Sequence, residues 1–438
     1  MTESLLPAPL ITDDTVVFGL LALCLGFIFY GSSKKTGFWS KFYGIVPGVL
    51  MCYLLPGILA STGIVAEKWE TVNEAGEVIT HTSSLYYVAS RYLLPAALVL
   101  MTLSIDLKAI MNLGSKALIM FLTGSAGIII GGPIAILIVS IFSPDTVGGN
   151  DFDAIWRGLA TIAGSWIGGG ANQAAMYEIF QYTPEKYGAM VLVDIVVANI
   201  WMAIILLGVG RTKQIDKWLK ADTSAIETLK VKVTAFAEKI TRVPTLKDYM
   251  MMLCFAFTAT GIAHFFGNHM STVLTNSFES VSDQKSFLSF LGSSFFWMVV
   301  IATAAGIALS FTKAKNYEGA GASKIGGMFI YLLVATIGMK MDLGKVLENP
   351  GLIAIGFIWI SIHAGLLILV AKLIKAPFFF LAVGSQANVG GAASAPVVAA
   401  EFHPSLTSVG VLLAVFGYVV GTGGALLCAY LMEVASAL

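Results

Sequence analysis

Gly164-Ser-Trp-Ile-Gly-Gly-Gly-Ala-Asn-Gln173 and Gly384-Ser-Gln-Ala-Asn-Val-Gly-Gly-Ala-Ala-Ser394 are two glycine-rich, polar interruptions of otherwise apolar sequence, one in each half of the chain. Both begin with Gly-Ser, and both set Asn and Gln beside paired glycines. Backbone this permissive is costly in hydrocarbon unless protein buries it or it lines a wet cavity. A matched pair of broken hydrophobic segments is the sequence mark of a transporter's binding site.

The surrounding composition is that of a polytopic membrane protein. Hydrophobic residues make up 57% of the chain, charged residues 12%, and the mean hydropathy is +0.83. The apolar runs reach the roughly 20 residues that a spanning helix needs. Net charge is zero but hides a strong asymmetry between loops, and no nucleic-acid partner is expected. The four cysteines fall inside predicted spans without metal-ligand spacing, so neither a disulfide framework nor a zinc site is expected. The first 14 residues lack a basic n-region, so no cleavable signal peptide is expected.

The hydropathy predicts an all-α protein with ten crossings. Five lie in the first half, over 16–30, 43–62, 85–103, 118–142 and 187–209. Five lie in the second, over 249–266, 287–310, 325–338, 351–370 and 406–432. The broken segments, 153–181 and 377–401, are each crossings or re-entrant hairpins, and basic residues decide between the two. Lys34, Lys35 and Lys41 mark an inside loop, which puts the N-terminus outside. The linker over 211–248 carries Arg211, Lys213, Lys217, Lys220, Lys230, Lys232, Lys239, Arg242 and Lys247, and so belongs inside. It emerges inside only if 153–181 re-enters as a hairpin. The same count puts the C-terminus outside.

Each half then has five spans with a hairpin before the fifth. Five is odd, so the halves are inverted repeats, 1–210 and 249–438. Ser104-Ile-Asp-Leu-Lys108 echoes Lys340-Met-Asp-Leu-Gly344 and supports duplication. In the linker, Ile226, Leu229, Val233, Phe236 and Ile240 form a helical apolar stripe interleaved with lysines, which predicts an amphipathic helix on the inner surface.

Hairpins entering from opposite faces meet near the midplane. The expected solute site is Ser165, Gly169, Gly170, Asn172 and Gln173 from one tip, and Ser385, Gln386, Asn388, Gly390, Gly391 and Ser394 from the other. Helix N-termini at the tips favour an anion, and carbonyl ends favour a cation such as Na⁺. Ser394 with Pro396, and Asn172, are expected to start the ascending arms. Small residues also permit close helix packing without a ligand. Asn and Gln at matching places in both breaks favour a site.

The Ala387-Asn-Val-Gly-Gly-Ala392 stretch and the span order resemble a bacterial and plant membrane family described as domain of unknown function eight-one-nine. The resemblance covers nearly the whole chain. A proline that this family would place near Ala393 is absent until Pro396. More distantly, the layout is similar to sodium–glutamate and sodium–citrate symporters. That resemblance implies cation coupling, a homodimer and an elevator motion. It carries over no substrate, since the basic residues that would bind citrate or glutamate are missing.

Ionisable groups inside spans mark function by default. Asp194, followed by Asn199, is the candidate coupling site for Na⁺ or H⁺; the alternative is that Asp194 pairs with a buried Arg or caps backbone. Arg91 can attract an anionic solute, pair with Asp194, or snorkel outward. His363 is a proton relay or a plain interhelix contact. No metalloprotease helix, nucleophile elbow or phosphate loop occurs, so the chain is not expected to be an enzyme and no bound cofactor is expected. The leading expectation is a cation-coupled secondary transporter of a small polar, anionic organic solute in the cytoplasmic (inner) membrane. The alternative is a channel or passive facilitator with opposed re-entrant loops.

Overall fold

A computed structural model describes residues 6–43, 46, 48–73, 77–103, 113–223, 226, 243–282, 287–340, 349–403 and 406–437. Among the described residues the protein is helical apart from a small antiparallel hairpin, β1 (Lys68–Val72) and β2 (Val78–Thr82), between the second and third predicted spans. Among the described residues, seven helices are long and apolar enough to cross a membrane, or up to nine if each of two bent pairs is one span. Ala322–Gly338 is a shorter apolar helix. Together these occupy the ten predicted positions. Their outer faces carry exposed Ile141, Phe142, Leu207, Phe265 and Leu369, as lipid-facing helices must.

The first half contains α1 (Asp14–Ser32), α2 (Gly37–Tyr43), α3 (Gly48–Ser61), α4 (Leu85–Leu103) and α5 (Ser115–Phe142). The first broken segment forms α6 (Ile155–Gly168) and α7 (Gly170–Phe180), followed by α8 (Pro184–Val209) and a short surface helix, α9 (Thr212–Leu219). The second half contains α10 (Leu246–Ser277), α11 (Ser294–Ser310), α12 (Ala322–Gly338) and α13 (Gly351–Leu373). The second broken segment forms α14 (Phe378–Asn388) and α15 (Gly391–Phe402), and α16 (Thr407–Ser436) completes the chain. Helix starts follow local chemistry. Asp13 accepts from the N–H groups of Thr15 and Val16 to open α1, and Thr245 with Asp248 forms a capping box for α10.

Several boundaries differ from the hydropathy reading. α10 runs on to Ser277, through much of the expected loop after 266. α11 begins at Ser294, because the Ser293 side chain accepts from Phe296 N–H; 287–292 is a separate 3₁₀ turn. The predicted amphipathic stripe at Leu229, Val233, Phe236 and Ile240 lies outside the described residues, as do Ser104–Lys108 and 341–344 of the paired echo.

Both broken segments are hairpins whose ends return to where they began. In the first, Trp156 stacks edge-on to Phe180 at 5.3 Å, and Arg157 Nη1 donates to Phe180 O at 2.9 Å. In the second, Phe402 packs against Phe378 and Phe379, at 5.7 and 5.3 Å between ring centroids. The arms hold 14, 11, 11 and 12 residues. At 1.5 Å per residue they extend about 16 to 21 Å, roughly half to two thirds of a hydrocarbon core. Neither hairpin can cross.

The hairpins enter from opposite ends of the bundle. At the start of α5, Lys116 Nζ donates to Lys375 O at the second hairpin's base. Just beyond the end of α5, Gly148 O accepts from Ile155 N at the first hairpin's base. α8 starts beside the first base, where Thr183 N donates to Phe152 O. It ends beside the second, where Gly208 meets Phe378. Past that end, the half-buried Asp216 accepts from Phe378 N at 2.7 Å; burial raises its carboxyl above the usual range, and this hydrogen bond opposes the rise.

α16 runs along both hairpins. Its Gly410 abuts Ala395 and Pro396 of α15, and Gly417 faces both Ile167 O and Ala387 O. A Cβ on Gly421 would lie 2.6 Å from Gly168 Cα. Small side chains on this face let the hairpin backbones approach.

The helices fall into two packed groups. One contains α5, both hairpins, α8, α13 and α16; the other contains α1, α3, α4, α10, α11 and α12. The second group has a separate small core of Ala96, Leu100, Leu103, Met252, Ala256, Ala314, Ala320 and Ala322. The groups touch mainly where α7 and α16 meet α4 and α11.

Gly421→Ala should destabilise the protein by about 1–3 kcal/mol through overpacking. Gly423→Ala, where a Cβ would meet nothing within 4 Å, should be neutral. Thermal melts of the purified protein in detergent compare the two. Equal melting temperatures would remove the close contact between α16 and the first hairpin.

Candidate functional site

The two tips meet. The first turns at Gly169, whose φ of +79° suits glycine, and the second turns through Gly390 and Gly391, with φ of +56° at Gly391. A Cβ on Gly391 would lie 3.7 Å from Gly169 Cα. Tyr418 of α16 lies against Gly169, and Ile330 of α12 lies against Gly170. Gly170 and Gly390 are exposed at this junction, although the rest of the first hairpin and all of α14 are almost wholly buried. The N-termini of α7 and α15 therefore open onto one place, each with the unpaired N–H groups of a first helical turn.

The tip asparagines are held by the protein. Asn172 Oδ1 accepts from Thr422 Oγ1 at 2.7 Å, and its Nδ2 donates to Gly168 O. Asn388 Oδ1 accepts from Ser125 Oγ at 2.7 Å, while its Nδ2 donates to Phe121 O and Gly384 O. These amides tie the tips to α16 and α5. Neither Asn172 nor Ser394 caps an ascending arm, contrary to the sequence reading. Gly169 and Gly390 hold the N-cap positions, because a backbone leaving these turns needs glycine's conformations more than a capping oxygen. Ser394 lies a turn inside α15 and donates weakly to Gln386 O at 3.4 Å.

Asp194 is buried against the first hairpin. Its carboxylate accepts from Ser165 Oγ (2.7 Å), Trp166 Nε1 (2.7 Å) and Gln173 Nε2 (2.9 Å). All three donors are neutral, so this buried acid has no ion-pair partner among them. Tyr53 of α3 reaches Gln173 Oε1 at 3.5 Å from the other helix group. Asn199 does not join this cluster. Five residues turn a helix by about 500°, which puts Asn199 on another face than Asp194. Its Nδ2 instead donates to Ile195 O.

The second hairpin has a neutral counterpart. Trp201, two turns beyond Asp194 on α8, donates from Nε1 to Ser385 Oγ at 2.8 Å. Ser385 Oγ also meets His363 Nε2 at 2.8 Å, and His363 Nδ1 meets Gly124 O at 2.9 Å. A carbonyl only accepts, so Nδ1 carries the hydrogen, and a neutral ring takes the Ser385 hydroxyl at Nε2. This chain joins α8, α14, α13 and α5; His363 is an interhelix contact. α8 thus grips both hairpins, one through Asp194 and the other through Trp201.

Arg91 pairs with Glu178 of α7, not with Asp194, at 2.6 Å. It sits in a π-helical turn at Ala89–Leu93, and its guanidinium also covers the Phe295 ring at 4.5 Å. The pair links the two helix groups. Among the described residues no three His, Cys, Asp or Glu side chains form a metal-binding cluster. Trp166, Trp201, Ser125 and Thr422 were not picked out from sequence. The repeated spacing of Gly417, Gly421 and Gly424 is the sequence signal for the face of α16 that packs on the first hairpin.

Residues 19–434 match the family described as protein of unknown function (DUF819), and the chain belongs to that family. It is 25% identical over 353 residues to the uncharacterized membrane protein YjcL of Bacillus subtilis (strain 168); the match covers 78% of this chain and 83% of that protein.

Ser385→Ala would leave the buried Trp201 N–H and His363 Nε2 without their shared partner. The expected loss is about 1–3 kcal/mol for each orphaned group. Ser140→Ala removes only a bond to its own helix and should change stability by less than about 0.5 kcal/mol. Melting temperatures that fall equally for both variants would contradict the bridging role of Ser385.

Proposed function

We propose that this DUF819 member is a secondary active transporter, with its solute site between the two hairpin tips. The observation that carries the reading is the contact of Gly169 with Gly391. Two turns inserted from opposite ends meet inside one packed helix group, and that group touches the rest of the molecule over a limited area. Unwound backbone is tolerated at membrane depth where it serves a cavity, and here it opens at Gly170 and Gly390.

In this reading the halves are inverted repeats. The group holding both hairpins slides as a unit against the group of α1, α3, α4, α10, α11 and α12, carrying the site between the two membrane faces. The positive ends of α7 and α15 attract a small polar, anionic organic solute. Asp194, buried among neutral donors, takes up the coupling cation, Na⁺ or H⁺. The Ser165 and Gln173 bonds to this acid connect cation occupancy to the first tip. Asn172 and Asn388 act as fasteners that keep the tips in register. The Arg91–Glu178 pair must break or travel as the groups slide. The second group supplies the homodimer contact, and both termini face outward across the cytoplasmic membrane.

Gly170→Cys in liposomes should react with an impermeant maleimide from either face, because alternating access presents the tips to each side in turn. Reaction from one face alone would contradict a moving site. Asp194→Asn, in the same background, should remove any dependence of that reaction on Na⁺ or pH. Unchanged cation dependence would reassign the coupling role.

A further inference from the structure

One side chain at the tips has no partner. Gln386 is fully buried, and neither its Nε2 nor its Oε1 makes a hydrogen bond. No other described side chain leaves two buried polar atoms unpaired. Buried amides are paired almost without exception, because a dry one loses the bonds water gave it. The neighbouring polar groups obey this rule. Asn172, Gln173, Ser385 and Asn388 each have partners within 3.5 Å.

Gln386 lies one turn before the break in the second hairpin. Its Oε1 is 3.4 Å from the point that a Cβ on Gly390 would occupy, and Gly390 is exposed. The amide thus stands directly beneath the open tip, beside the N-terminus of α15. The two hairpins differ at this position. Gly164-Ser165-Trp166 corresponds to Gly384-Ser385-Gln386, and Trp166 is occupied by Asp194. No described residue plays that part for Gln386.

We propose that the Gln386 carboxamide is the recognition group for the solute, and that the solute is a monocarboxylate bearing its own hydrogen-bond donor next to the carboxylate, as an α-hydroxy or N-acylamino acid does. The inference rests on the tip site proposed above. A carboxamide offers two donors and one acceptor. The first-turn N–H groups of α7 and α15, with the Gln386 NH₂, suit carboxylate oxygens. Gln386 Oε1 remains, and it requires a donor from the solute. Ile330 and Tyr418, which border the tip glycines, carry no full charge. A second carboxylate would be desolvated there without a counter-charge.

The test measures how lactate, propionate and succinate protect Gly170→Cys from maleimide, in the full chain reconstituted in liposomes. Lactate and propionate differ only by the hydroxyl. Lactate should protect at concentrations about tenfold lower than propionate, and succinate should protect no better than propionate. Adding Gln386→Leu should erase the lactate preference while leaving thermal stability unchanged or raised, since it removes two unpaired buried groups. A purely structural Gln386 would leave protection unaltered. Equal protection by lactate and propionate, a lactate preference retained in Gln386→Leu, or no protection by any of the three overturns the proposal. In those cases labelling of Gly170→Cys from both faces would leave the transporter reading standing. A Gly170→Cys variant that reacts from neither face would overturn the tip site itself, and the proposal with it.

Discussion

Peptide that leaves the helix inside a bilayer must find its hydrogen bonds and its packing within the protein. The fold follows from that requirement at two places. Short arms bring the chain to the middle of the bundle, and glycine lets it turn back there. The turns are then held by a glycine face on α16 and by side chains reaching in from α5, α8, α13 and α16. Thr422 holds Asn172, Ser125 holds Asn388, and Trp201 and His363 share Ser385. Remove these attachments and two open turns face hydrocarbon with several unsatisfied groups. The long helices are therefore arranged around the hairpins, and the packed group that contains them is the larger of the two.

The hairpins are alike in course and unlike in chemistry. The first is bound through an acid whose partners are all neutral donors. The second is bound through an uncharged Trp–Ser–His chain and leaves one amide empty. A symmetric pore would need like groups from both sides. In the proposed function that difference serves two tasks at one junction, a cation at the first tip and a polar solute at the second. The Arg91–Glu178 pair and the Tyr53–Gln173 contact lie where the two helix groups meet, next to the first hairpin. Gln173 thus touches both the other helix group, through Tyr53, and Asp194.

Much of this was readable from residues alone. The paired glycine breaks marked where the two hairpins turn, and the lysines of the 211–248 linker favoured a returning segment over a crossing. Among the described residues, hydropathy located the seven long apolar helices, the two bent pairs and Ala322–Gly338, because burial in lipid demands length and little else. What it missed depends on partners distant in sequence. Asn172 and Asn388 look like ligands until Thr422 and Ser125 are seen to occupy them. Arg91, in a π-helical turn, pairs with Glu178, 87 residues away. Gln386 and Asn388 read identically as polar tip residues, yet one is saturated and the other empty. Asn199 failed for a simpler reason, since five residues carry it around the helix away from Asp194.

The central claim is that one rigid group, holding both hairpins, moves against the other. It is tested most directly by pulsed electron paramagnetic resonance distances between spin labels at Lys213, beside the second hairpin's base, and Lys313, at the end of α11, both exposed. In liposomes the account predicts two distance populations whose ratio changes with the cation gradient, while a label pair within either group keeps a single distance. One unchanging distance between Lys213 and Lys313 under every gradient would contradict it.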